Sequence, residues 1–117
     1  MPLSVLVVES DLLTRETLRD MLSALEYNVF EVESAELAFG ALQAFFADVV
    51  FFSLPWNDEH CARFACKAKL LQSHLKVIVT SGYRPPTCLP QGVDAFVQMP
   101  FSLQKIDEIV KQLFVLP

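Results

Sequence analysis

The chain alternates five short apolar runs, at residues 3–8, 28–32, 48–52, 75–80 and 95–98, with longer stretches in which apolar residues recur every three or four positions. Short runs suit strands, and the three-to-four spacing suits helices with one buried face. Strict alternation of the two is the signature of βαβ units, parallel strands joined by helices that cover the sheet. Val49-Val50-Phe51-Phe52 is apolar without a break, as a strand buried on both faces must be. The run at 28–32 alternates polar and apolar residues and predicts an edge strand.

The first helix is expected over 11–25, with Leu18, Met21, Leu22 and Leu25 inward. Ser34 is placed to cap a second helix running to about residue 46, with Ala38, Ala41, Leu42 and Phe45 on its buried face. A third spans about 59–72, with Phe64, Ala65, Ala68 and Leu71 inward and Arg63, Lys67 and Lys69 on a solvated face. Ser102 caps the last, whose Leu103, Ile106, Val110 and Leu113 face the core. Between the fourth and fifth strands, Pro85, Pro86 and Pro90 leave room for a turn of helix at most. The expected fold is one doubly wound α/β domain over 1–117. Its five-stranded parallel sheet has order 2-1-3-4-5, and its fourth helix is shortened or irregular. In that order the functional crevice lies at the carboxyl ends of the first and third strands.

Composition narrows the function. Of 117 residues 53% are hydrophobic and ten are Phe, a surplus that predicts an apolar contact patch on the surface. A net charge of −5 with no basic window speaks against nucleic-acid binding. The apolar runs fall far short of the roughly 20 residues that cross a bilayer, and no basic N-terminal region precedes a leader-like core. No membrane association is expected, and the chain reads as cytoplasmic. Cys61, Cys66 and Cys88 are odd in number and irregularly spaced, which fits free thiols in a reducing compartment. With His60 and His74 they match no zinc-module spacing. Neither a metal nor another cofactor is expected.

The strand ends carry the chemistry. Glu9-Ser10-Asp11 follows the first run, Ser53 the third, Thr80-Ser81 the fourth and Met99-Pro100 the fifth. Acid on one side, hydroxyls in the middle and a thioether opposite describe a phosphoryl-transfer site without its charged groups. Val7-Val8-Glu9-Ser10-Asp11, the run ending at Ser53, Val77-Ile78-Val79-Thr80-Ser81-Gly82 and Gly92-Val93-Asp94-Ala95-Phe96-Val97-Gln98-Met99-Pro100-Phe101 together resemble the receiver domain of two-component response regulators. The resemblance spans essentially the whole chain.

In that family an acidic pair after the first strand holds Mg²⁺, and an aspartate ending the third strand accepts a phosphoryl group from a histidine kinase. A Thr or Ser after the fourth strand senses the group, and a Lys before the last helix neutralises it. The resemblance puts Glu9 and Ser10 at the acidic pair, Ser53 at the acceptor, Ser81 at the hydroxyl and Met99 at the lysine. It also implies a cis Met99–Pro100 bond. A serine hydroxyl is a poor nucleophile without a base, one carboxylate is a poor Mg²⁺ site, and a thioether cannot neutralise a phosphoryl group. The resemblance therefore implies a degenerate receiver, not an enzyme, that works by protein contact independently of phosphorylation. Its expected partners are a histidine kinase, another regulator, an output domain or a second copy of the chain.

Two alternatives stay open. Asp58 or Asp11 accepts a phosphoryl group in an unconventional place, or a small ligand occupies the crevice near Glu9, Ser53 and Ser81. Contact candidates are Trp56 and Tyr83 in crevice-end loops, with Phe96 and Phe101 beside the last strand. Phe39 and Phe46 are candidates for an exposed patch or for the core.

Overall fold

All five strands form within one residue of their expected bounds. A computed structural model describes residues 2–53, 57–82 and 86–114. The elements are β1 (Ser4–Glu9), α1 (Leu12–Ala24), β2 (Asn28–Val32), α2 (Ala35–Ala44), β3 (Val49–Ser53), α3 (Asp58–Leu71), β4 (Lys76–Ser81), β5 (Ala95–Gln98) and α4 (Leu103–Leu113). The sheet is parallel throughout with order β2-β1-β3-β4-β5. Trp56 and Tyr83 lie outside the described residues. No helix is assigned between β4 and β5 among the described residues there.

Strand alternation splits the core in two. Val5, Val7, Val49, Phe51, Ile78 and Val97 pack with Leu18, Leu22, Ile106 and Val110 of α1 and α4. Leu6, Val8, Val50, Phe52, Val77 and Val79 pack with Ala38, Leu42, Phe64, Ala65 and Ala68 of α2 and α3. Each apolar side chain fully buried this way contributes about 1.5–3 kcal/mol, so the central strands anchor both layers at once. All four helices carry an N-cap whose side chain accepts the third amide of the helix. Asp11 takes Thr14, Ser34 takes Leu37, Asn57 takes His60 and Ser102 takes Lys105.

Several side chains depart from the periodic expectation. α2 ends at Ala44, and Phe45 turns to extended backbone (φ −132°, ψ 146°). Its ring leaves the core and stacks on Phe30. Leu103, the first residue of α4, is exposed. Lys69 is half-buried rather than solvated, because its ammonium meets Asp94 at 2.8 Å. Phe39 packs against the α2/α3 core, whereas Phe46 is exposed and stacks on His74. Gly92 precedes β5 with φ +85°, and a Cβ there would stand 3.0 Å from that of Ala65. Only glycine suits both the dihedral and the close approach.

Candidate functional site

The ladders run one residue further toward the crevice than the apolar runs do, and this draws the polar strand ends into the sheet. Glu9 pairs in register with Ser53, and both are buried, at 7% and 2% exposure. Ser53 Oγ donates to Glu9 Oε1 at 2.8 Å. Glu9 Oε2 accepts the Asp11 amide at 3.0 Å and, more distantly, Ser10 Oγ at 3.5 Å. Ser53 is thus a hydrogen-bond donor to the acid beside it.

Asp11 faces away from that pair. Its Oδ2 accepts the Thr14 hydroxyl at 2.7 Å and the Thr14 amide at 2.9 Å. These two bonds, with the Arg15 charge adding to them, hold its carboxyl below the usual 3.8. Capping of α1 therefore occupies the Asp11 carboxylate. Asp58 is the first residue of α3.

Ser81 is buried at the end of β4, opposite Gln98 of β5, and its carbonyl accepts the Met99 amide at 2.7 Å. This bond fixes the turn that carries the cis Met99–Pro100 peptide. Met99 lines a groove of about 390 Å³ with Thr14, Thr17, Leu18, Met21, Pro100 and Phe101, so mainly apolar surface surrounds it. Phe96 and Phe101 are half-buried, each packed against one of the two cores.

One residue of this end escapes sequence reasoning. Arg15 reaches back from α1, its Nη1 donating to the Glu9 carbonyl at 3.0 Å. Its spacing of four from Asp11 signals a charge near that acid, not the bond to the Glu9 carbonyl. Thr80 is fully buried, and its Oγ1 has no hydrogen-bond partner among the described residues. The sequence marks Thr80 as a polar strand-end residue, and the structure buries it within the sheet.

Magnesium binds hard oxygen ligands, one or two of them usually carboxylates. Here Glu9 is already bonded through both oxygens, Asp11 turns into its helix, and Ser10 and Ser53 offer neutral hydroxyls. Among the described residues, no three His, Cys, Asp or Glu side chains gather as a metal site would require. This donor set does not fit the ion.

No family model and no curated protein matches the sequence. Solved structures match over nearly its whole length. A CheY-like response regulator receiver domain from Methylobacillus flagellatus superposes with a TM-score of 0.84 at 20% identity, covering 97% of this chain and 99% of that one. A CheY-like receiver from Methanospirillum hungatei JF-1 gives 0.82 at 21% identity, covering 96% and 93%. The receiver domain of a sensor histidine kinase from Pseudomonas aeruginosa PAO1, described with magnesium coordinated in its active-site cleft, gives 0.80 at 17% identity, covering 97% and 98%. The chain has the fold of response regulator receiver domains.

Proposed function

We propose that this receiver-fold domain is a degenerate receiver, a signalling module of a two-component-type pathway that acts through protein contacts without accepting a phosphoryl group. The observation that carries the proposal is the Ser53–Glu9 pair. A phosphoryl acceptor must attack in line and then hold a dianion. Ser53 is 2% exposed, offers a neutral hydroxyl and points it at a carboxylate. A phosphoryl group there would face Glu9 without the compensation of a lysine, since Met99 occupies that place. With the site unsuited to the chemistry, recognition by surface is the function that remains for the fold. A histidine kinase, a second regulator or an output domain is the class of partner this reading implies.

The test is incubation with a small acyl-phosphate donor and Mg²⁺, followed by intact and peptide mass spectrometry. No phosphoryl adduct is expected. An acid-stable, base-labile adduct on Asp58 or Asp11 would overturn the proposal, and so would an adduct on Ser53.

A further inference from the structure

Strand β2 is where the fold leaves backbone hydrogen-bonding groups and aromatic surface side by side. Among the described residues it pairs with β1 alone and forms an edge of the sheet. The Asn28 amide donates to the Leu3 carbonyl at 2.9 Å. Because residues along a parallel ladder alternate in the side they bond to, Asn28, Phe30 and Val32 face β1, and the N–H and C=O of Val29 and Glu31 face outward.

Natural sheets blunt such an edge with lysine, proline, a bulge or brevity. β2 contains neither Lys nor Pro, its register with β1 is unbroken over five residues, and its one charged side chain, Glu31, is drawn back to Arg19 Nη1 at 3.3 Å. On the α2 side the edge is apolar. Phe30 is 41% exposed, Leu37 52% and Phe45 59%, and the Phe30 and Phe45 rings stack with centroids 5.6 Å apart. Leu37 and Ala41 stand four residues apart on one side of α2, and Phe45, just past the helix end, brings its ring onto Phe30.

We infer that this edge is the interface of a two-fold dimer, in which β2 pairs antiparallel with β2 of a second copy about an axis at Phe30. In this register Phe30 stands opposite itself in a non-hydrogen-bonded pair, where Cα atoms approach to about 4.5 Å. Val29 then stands opposite Glu31 of the second copy, and the two such pairs exchange four N–H···O bonds. An isologous antiparallel pairing makes the edge its own complement. It also joins two stacked Phe30–Phe45 pairs into one cluster of four rings. The exposed parts of Phe30, Phe45 and Leu37 amount to about 300 Å² of apolar surface, taking an aromatic side chain as about 200 Å². That is more than a third of the roughly 800 Å² each partner buries in a stable interface, before the strand backbone and the outer turns of α2 are counted. The pairing deepens the contact-based reading above by naming one partner. The two fail separately: a monomeric chain removes the pairing alone, and a phosphoryl adduct removes that reading alone.

Sedimentation velocity over a range of protein concentrations tests it. The natural chain should shift from monomer to dimer, and Phe30→Lys should weaken the dimer about a hundredfold or more by placing two ammonium groups side by side at the axis. Leu70→Lys, on α3 and far more exposed at 87%, should change nothing. In a Cys66→Ser, Cys88→Ser background, Phe30→Cys should oxidise to a covalent dimer, because a Cα separation near 4.5 Å lies within disulfide reach. Leu70→Cys should not. This second arm decides the matter if Phe30→Lys fails to fold. A chain that is monomeric at every concentration, or a dimer that neither Phe30 variant affects, overturns the inference.

Discussion

The two ends of the parallel sheet treat polar residues in opposite ways. At the amino end the acids are kept and tie strands together. Asp48 Oδ2 accepts the Ser4 amide at 2.8 Å while the Asp48 amide donates to the Ser4 carbonyl at 2.8 Å. Asp94 repeats the arrangement on Val77, with both bonds at 2.8 Å, and adds the ion pair with Lys69. Gln72 closes the same end, its side-chain amide donating to the Leu42 and Phe45 carbonyls and accepting from the Ala47 amide. At the carboxyl end the one buried acid among the described residues, Glu9, accepts from the neighbouring Ser53 hydroxyl. Buried polar groups survive where each has a partner. At the amino end the acids bond backbone amides and, at Asp94, a lysine; at the crevice end Glu9 bonds hydroxyls and a backbone amide.

The contrast is broken most severely at the amino end. Asp94→Ala removes the acceptor of the Val77 amide and the partner of half-buried Lys69. It should lower the unfolding free energy by about 2–3 kcal/mol, read from urea denaturation, and Asp94→Asn should recover part of the loss. Next in size is restoration of acid at the crevice. Ser53→Asp sets a second carboxylate against buried Glu9 and should cost about 1–2 kcal/mol at neutral pH, the size of a one-unit pKa coupling between like charges. The loss should shrink as pH falls through the carboxylate range. Adding Ser10→Asp and Met99→Lys should make the melting temperature rise with Mg²⁺, a response the natural chain should lack.

Smaller effects come from two titrating groups, one near each end. Tyr27 precedes β2 at the amino end. Burial, then the Asp107 charge and the hydrogen bond to Asp107 at 3.4 Å, raises its phenol above the usual 10.0. The fold favours the protonated form, so this contribution to stability is complete below pH 10 and is lost as pH rises through the raised value. Tyr27→Phe should flatten the alkaline side of the stability profile. At the crevice end Asp11 is held below 3.8, first by its Thr14 bonds. Its contribution is complete above that pH and is lost as pH falls through the lowered value. Because Asp11 is exposed, solvent screens the effect and it should be the smallest of the four. An NMR titration of the carboxyl should give a pKa below 3.8, returning toward 3.8 in Thr14→Ala.

How much of this was legible follows the range of the forces involved. Ser34 and Ser102 announce helix starts because capping acts over three residues. Asn57 does the same chemistry but was hidden behind the acids that follow it. Phe45 satisfied the periodicity of α2 and was still misplaced, since helix geometry ends one residue before it. Lys69 looked like one cation in a solvated run until β5 brought Asp94 beneath it. At the crevice, the identities of Glu9, Ser53, Ser81 and Met99 were readable from the ends of the apolar runs, but the direction of the Ser53 hydroxyl was not.

The sequence by itself determined the alternation of strands and helices, the sheet order that such alternation favours, and which residues reach the crevice. All of these rest on periodicity and turn chemistry acting within a dozen residues. The tertiary structure decided which side chains answer one another across the sheet. Ser53 meets Glu9 and Asp48 meets Ser4, each pair 44 residues apart in sequence, and Phe30 meets Phe45 beside an open strand edge. Contacts of that range exist only once the strands are in register, because the register sets which side chains stand side by side.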